Sequence, residues 1–394
     1  MGFRDALKRL GDDAGDDALD GLIAAASGEV TDEEIAELAR LLAHSGDFLP
    51  SPQGAVAADV ASTGGPASLT TLLCPLYLRC MGAVVPKIGV PGRPAGGIDV
   101  MSRIPGYQVR IPLDRAKEIL EQCGYVHVLA AGRFAPLDGR LFTRRQLKNA
   151  VAVQPLVIAS LLSKKLAAGL THVGLDVRVS PNGNFGATWD EARSNARRFV
   201  CIADALGIRA KCFLTEGADA PQPYIGRGEA LLAISRLLFG PEDPWLSQHA
   251  KRCYAMAVAT VGCPDFPMPS APMTASFFEA NLIAQGASMA AFDVSSKLAA
   301  GAARMTLRAD RSGFVETNLS MLRSAIVQAN QQGSTAGDEF PDSAGVVLLC
   351  RSNQFVLTGE SLAEIRCPEP CLADLNNAFR IIPGGSQTCG YEEM

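Results

Sequence analysis

Hydrophobic and polar positions change period several times along the chain, and each change marks an element. Thr31, followed by Asp32, Glu33 and Glu34, is a capping box with Thr31 as the cap and Glu34 as its partner. It opens an amphipathic helix whose apolar stripe is Ile35, Leu38, Leu41 and Leu42. Asp17–Ala26 carries another apolar stripe. Met1–Ser45 therefore reads as two or three short helices, closed by Gly46 and followed by Pro50-Ser51-Pro52 as a linker. From Ala55 the texture changes. Val56–Val60 and Ala83–Val85 read as strands with the helix Leu72–Met81 between them. The helix Leu113–Cys123 precedes a strand over Tyr125–Ala130. Gln146–Gly169 reads as one long helical region, His172–Val179 as a buried strand, Asp190–Leu206 as a helix and Ala210–Thr215 as the next strand. Arg227–Leu238 and Ala271–Gln285 are further helices. Strands alternating with helices predict an α/β fold with a mixed or parallel sheet flanked by helices. Ala344–Arg351, Gln354–Leu357 and Ala363–Arg366 are short strands separated by turns, which predicts a small β-rich C-terminal subdomain.

The stretch Asp59–Thr71 interrupts this pattern between a strand and a helix. It holds Ser62, Thr63, Gly64, Gly65, Ser68 and Thr71. Small residues let backbone N–H groups turn inward together, and a helix start adds its positive dipole end, so such a loop can cradle an anion. An ordinary strand-to-helix turn capped by Ser or Thr fits the same residues. A second Gly/Pro-rich loop runs from Gly89 to Gly97.

Composition narrows the function. Of 394 residues, 48% are apolar and 20% charged, enough for a large core and against wholesale disorder. Net charge is −5 with no polybasic run, which argues against nucleic acid as a partner. No apolar run reaches the roughly 18–20 residues of a membrane span. The 11 cysteines include no Cys-x-x-Cys and no Cys/His cluster of zinc type, so no metal or cofactor is expected. The charged, amphipathic Met1–Asp20 does not read as a secretory signal, and an odd cysteine count fits reduced thiols in a cytoplasmic protein. His127 and His172 lie in or beside apolar strand-like runs, where a packed imidazole is the default.

Several stretches, in order, resemble the thymidine and pyrimidine nucleoside phosphorylase family. Ser62-Thr63-Gly64-Gly65 resembles its Lys-His-Ser-Thr-Gly-Gly loop. Val85-Pro86-Lys87 through Gly96-Gly97-Ile98-Asp99 and Ile104-Pro105-Gly106 resembles its second Gly-rich loop. Pro155 to Gly169, with Ser160, Lys164 and Lys165, is nearly the family's helix as it stands, and Leu175-Asp176-Val177-Arg178-Val179 resembles the strand after it. The resemblance covers most of the chain and is weakest at both ends.

That resemblance implies a helical domain of residues 1–48 plus 138–169, an α/β domain of 55–135 plus 170–330, and the β-rich tail at 335–394. The active site would lie in a cleft between the first two, usually in a homodimer. It implies a pentosyltransferase that cleaves or forms the bond between a pyrimidine-like base and its sugar, with phosphate as the default incoming group. Negative charge builds on the leaving base, and cations or donors at its oxygens stabilise that charge. By resemblance Arg145, Ser160 and Lys164 bind the base, with Arg145 and Lys164 also catalytic. Ser160 and Lys164 are i, i+4 and so share a helix face. A lysine in an apolar run is costly to bury unpaired, which hints at a ligand, although Lys164 and Lys165 can also snorkel to water. The acceptor loop would be Ser62, Thr63, Gly64, Gly65, Ser68, Thr71, Lys87 and Arg93. Arg103 is an alternative cation, and either arginine can equally be a solvated loop residue. The chain departs from the family here. Val60-Ala61 stands where the family has Lys-His, Gly89 replaces a phosphate-binding Ser, and Gly97 or Ile98 replaces a Thr. These losses keep open a related glycosyl-transfer or hydrolytic enzyme that does not use inorganic phosphate, and a non-catalytic nucleoside-binding relative.

Overall fold

The computed structural model describes residues 2–393 apart from 13, 50–53, 91–95, 131, 182, 184, 335–336 and 384–390. The Pro50–Pro52 linker and Arg93 lie outside the described residues.

Three helices open the chain: α1 (Phe3–Asp12), α2 (Asp16–Ala25) and α3 (Asp32–Ala43). The α3 capping box forms as read, with Thr31 N–H donating to Glu34 and Glu34 N–H to Thr31. Next come β1 (Ala58–Ser62), α4 (Thr70–Cys80), β2 (Val85–Gly89), the short α5 (Gly97–Met101), α6 (Leu113–Cys123) and β3 (Tyr125–Leu129). Two helices follow, α7 (Pro136–Leu147) and α8 (Gln154–Ala167). The region read as one long helix from Gln146 is thus broken between Leu147 and Gln154. Asn149 takes a left-handed φ of 54° there, and Pro155 sits in the first turn of α8. Asn tolerates that conformation and proline suits a helix start, so both residues favour the break.

The chain continues with β4 (His172–Val179), α9 (Trp189–Ala205), β5 (Arg209–Glu216), the two-residue β6 (Tyr224–Ile225), α10 (Arg227–Phe239), α11 (Pro244–Val261), α12 (Ala271–Ala284) and α13 (Met289–Gly301). The remainder is β7 (Met305–Arg308), β8 (Gly313–Thr317), α14 (Leu319–Gln332), β9 (Gly345–Leu348), β10 (Phe355–Val356), β11 (Ser361–Arg366), α15 (Leu372–Asn376), β12 (Phe379–Ile382) and β13 (Tyr391–Glu393).

Strands β1, β4 and β5 are parallel, and β13 adds an antiparallel edge to β5. A parallel bridge from Ala57 to Val84 joins β1 to the parallel pair β2–β3. The continuous order is β3-β2-β1-β4-β5-β13, covered on both faces, as parallel sheets require. One face packs Val173, Leu175, Val177, Val126 and Val128 against α1–α3, α6, α8 and α9. The other packs Val60, Phe213, Tyr125 and Leu129 against α4 and α10–α12. The all-α part is α1–α3 with α7 and α8, cross-linked by Arg144 of α7 and Lys148, which caps its end, on Asp20 of α2. In the tail, β11 pairs with β9 and β7, and β8 pairs with β10 and β12. Strands β7 and β8 thus join the tail's strands, although they precede residue 335, while β13 returns to the main sheet.

Candidate active site

Ligands of open parallel sheets bind beyond the carboxyl ends of the strands, and β1 delivers Ser62–Thr71 to that edge. The loop is organised by a buried carboxylate, Asp176, which pairs in register with Ser62 on the neighbouring strand. Asp176 accepts from Ser62 Oγ at 3.1 Å, Ser68 Oγ at 3.4 Å, Thr70 Oγ1 at 3.0 Å and Thr215 Oγ1 at 2.8 Å. A carboxylate buried in a strand is costly unless hydrogen-bonded, and these hydroxyls satisfy it. The consequence for chemistry is direct. A hydroxyl has one proton, so while Ser62 donates to Asp176, and Ser68 to Thr70 Oγ1 at 2.9 Å or to Asp176, they cannot donate to a bound anion. Thr63 Oγ1 accepts from the Arg178 amide at 2.9 Å. Gly64 and Gly65 take φ values of 131° and 105°, which residues with a Cβ rarely adopt, and the Gly64 amide donates to Ser62 Oγ at 3.4 Å. On the far side, the Leu69 amide donates to His249 Nε2 of α11 at 2.9 Å, anchoring the start of α4.

Lys87 does not face this loop. Its ammonium group is buried between β1 and β2, where it donates to Asp59 and, at 3.2 Å, to the Val60 carbonyl. The strands part just beyond the Ala57–Val84 bridge, and the lysine fills the gap. Lys165 of α8 reaches the other Asp59 oxygen at 2.6 Å. Burial alone would raise the Asp59 carboxyl, but the charges of Lys165 and Lys87 outweigh it and hold the group well below the usual carboxylate range. Burial pulls Lys87 down, partly offset by Asp59. His127, beside Lys87 on β3, is buried and held down to about 3, by desolvation first and then by the Lys87 charge.

The three residues assigned to the base lie on the all-α part. Lys164 Nζ donates to Ser160 Oγ at 3.1 Å and lies 2.5 Å from Asp138 Oδ2 of α7. The other oxygen, Asp138 Oδ1, is buried with no hydrogen-bond partner among the described residues. Lys164 and Lys165 are consecutive and so diverge by about 100° around α8, one toward Asp138 and the other toward Asp59. Arg145 is turned into the α7–α8 connection, where its guanidinium donates to the carbonyls of Ala150, Val151 and Leu156 at 3.3, 2.5 and 3.4 Å. The structure therefore brings Ser160 and Lys164 together and gives Arg145 a structural task. Arg103 is also engaged, with Asp338 at 3.2 Å and the Phe340 carbonyl at 2.9 Å. Thr71 is half-buried beside Gly97.

Among the described residues no cluster of His, Cys, Asp or Glu has metal-binding form, and no helix is long and apolar enough to cross a membrane. An open hollow lined by Arg197, Cys201, Asp204 and Arg209 lies at the amino end of β5, the wrong edge of the sheet for this site.

Residues 54–215 match the glycosyl transferase family a/b domain. Thymidine phosphorylase from Agrobacterium fabrum is 34% identical over 242 residues, which is 60% of this chain and 54% of that protein. Pyrimidine-nucleoside phosphorylase from Geobacillus stearothermophilus is 27% identical over 358 residues, 85% of this chain and 80% of that protein. Over its α/β part and beyond, the chain is similar to the thymidine and pyrimidine-nucleoside phosphorylases.

For several of these curated relatives the match spans about half their length, 54%, 44% and 50% in three cases. The fold is also that of anthranilate phosphoribosyltransferase from Thermus thermophilus, with a TM-score of 0.52 at 18% identity, covering 76% of this chain and 95% of that one. Within the phosphorylase family pattern, the residues sequence reading passed over are Asp59, Asp138, Asp176 and His249. The signal was present for the first and third: an aspartate inside an apolar strand run must be paired or it would not be there. For Asp138 and His249 no local signal existed, because their partners come from other elements.

Proposed function

We propose that the chain is a pentosyltransferase acting on the N-glycosidic bond of a pyrimidine-like nucleoside, with phosphate as the default incoming group. The observation that carries this reading is the Ser160–Lys164–Asp138 cluster. An ammonium group, a hydroxyl and an unpartnered carboxylate oxygen converge there. A pyrimidine base presents oxygens that gain negative charge as the sugar bond breaks, and a ring N–H. Lys164 and Ser160 suit the oxygens and Asp138 Oδ1 suits the N–H. Lys164 stabilises the departing base because its charge acts more strongly on the transition state than on the neutral ground state. Arg145 supports the same site by fixing the α7–α8 turn, and it reaches a base only by leaving the Val151 and Leu156 carbonyls.

A second reading, transfer to an acceptor other than inorganic phosphate, is favoured by the loop. Val60 and Ala61 carry no charge, Lys87 is committed to Asp59, and Ser62 and Ser68 donate to Asp176. Incubating the purified protein with thymidine, uridine and related nucleosides, with and without phosphate, separates the readings. Base release only with phosphate supports the first, and release without it supports the second. Nucleoside binding lost in Lys164→Ala without any release indicates a non-catalytic binder. Failure of every nucleoside and free base to bind overturns the assignment. The reading carries with it a cytoplasmic homodimer. Phe142, Leu147 and Val151, exposed around the end of α7, offer apolar surface that a second copy would cover, and solution mass tests it.

A further inference from the structure

Val60 and Ala61 stand where the phosphorylases the chain resembles carry cations, yet Arg178 of β4 borders the loop and the charge of Arg252 on α11 reaches Arg178. Arg178, near the carboxyl end of β4, is nine-tenths buried at 7% exposure. Its guanidinium donates to Thr215 Oγ1 at 3.3 Å and the Asp219 carbonyl at 3.1 Å, but its Nε–H is buried without a partner among the described residues. That Nε lies 3.8 Å from where a Cβ on Gly65 would stand, so it is directed at the double glycine. The Gly65 amide donates to no protein partner among the described residues, and neither arginine forms an ion pair among them. Arg252 lies on α11 one turn from His249, the residue that anchors Leu69, and its charge acts on Arg178. It is half-buried with no hydrogen-bond partner among the described residues. Asp176 and Glu216 are the acids near Arg178. Asp176 is saturated by hydroxyls, and Glu216 accepts from the Ala218 amide at 3.0 Å.

We propose that Arg178 and Arg252, with the Gly64–Gly65 backbone, form a binding site for a phosphate-type oxyanion, either inorganic phosphate or the phosphate of a pentose 1-phosphate. A buried, unpaired guanidinium N–H is a costly feature that an anion would satisfy, and the Gly65 amide adds a further donor, while the Gly64 amide already donates to Ser62 Oγ at 3.4 Å. The site deepens the pentosyltransferase reading, on which its choice of ligand rests, by supplying cations where β1 no longer does.

The test is calorimetric titration of inorganic phosphate, and separately of 2-deoxyribose 1-phosphate, into the wild-type chain, Arg252→Ala and Arg178→Gln. Free thymine or uracil binding is measured on the same samples. The expected result is binding of at least one of the two phosphates to wild type. Each substitution should weaken it about tenfold or more, the loss of one charge-assisted hydrogen bond, with base affinity unchanged. Arg252 has no partner to lose, so its variant decides the matter if Arg178→Gln fails to fold. Phosphate binding untouched by Arg252→Ala, or no binding of either phosphate to wild type, overturns the site. In the latter case, retained base binding leaves the nucleoside reading standing, and lost base binding removes both.

Discussion

Lys165 Nζ of α8 lies 2.6 Å from Asp59 Oδ2 of β1, both nearly inaccessible to water, and this ion pair fastens the all-α part to the sheet. Asp59 shares its charge with Lys87 as well. Two ammonium groups thus depend on one carboxylate. Replacing Asp59→Asn keeps the shape and leaves both lysines without a counter-charge. The expected loss is about 3–5 kcal/mol, the range for stranding a buried charge, read as a fall in the denaturant midpoint at constant slope. Because the folded carboxyl is held down, the stabilisation from Asp59 is complete above its unfolded pKa of about 3.9. It is lost only as pH falls through the lower, folded value. A near-neutral Asp59→Asn variant would refute the fastening role.

His127 gives the chain a separate acid sensitivity at higher pH. Folded, it titrates at about 3, against an ordinary 6.5. Between those values the unfolded chain binds the extra proton, so stability falls as pH drops through that window, by about 1.4 kcal/mol per unit. His127→Gln keeps a neutral hydrogen-bonding side chain and should flatten this limb of the stability curve while leaving the lower Asp59 limb in place. An unchanged slope between about pH 6 and about pH 4 in the variant, measured by chemical denaturation, would sink this account.

Much of this architecture was legible from pattern alone, and the gaps have physical causes. The α3 capping box, the β4 run and the α8 helix announce themselves because each is local: a cap three residues long, an apolar strand, a periodic stripe. Helix α11 was missed although Asp243, Pro244 and Gly262 mark its ends, because its apolar residues face both the loop and the sheet and blur the stripe. The candidate site's geometry was legible where it lies on one helix, as for the contact of Lys164 with Ser160. It was not legible where partners come from distant segments. Nothing near Lys87 in sequence says that Asp59, 28 residues earlier, absorbs its charge. Nothing near Ser62 says that Asp176 takes its proton.

Restoring the family's lysine at position 60 should fail. Strand alternation points Val60 away from Asp59, into the core beneath α4 and α11, where it is fully buried near Gly174. Val60→Lys therefore places an unpaired ammonium group in an apolar layer and should cost several kcal/mol. Ala61 is half-buried, so Ala61→His should fold normally. Thermal melts of both variants check this. A Val60→Lys protein as stable as wild type with improved phosphate use would show that the backbone can turn the side chain toward the loop.

Lys164 and Asp138 should separate in kinetics. Lys164→Met keeps the aliphatic stem but removes the cation from the developing charge. A charge-assisted hydrogen bond is worth about 1.5–3 kcal/mol, so nucleoside turnover should fall by at least about tenfold, with kcat and kcat/KM dropping together, the mark of an interaction made in the transition state. Asp138→Asn leaves the ammonium group in place but swaps an acceptor for an amide that donates as well as accepts. If Asp138 Oδ1 receives the ring N–H of uracil or thymine, KM for those bases should rise more than kcat falls. A base whose ring nitrogen accepts, as in cytosine, should be discriminated against less than before. Equal effects of Asp138→Asn on both kinds of base would reduce Asp138 to a support for Lys164. Full activity in Lys164→Met would remove the base site from α8 altogether.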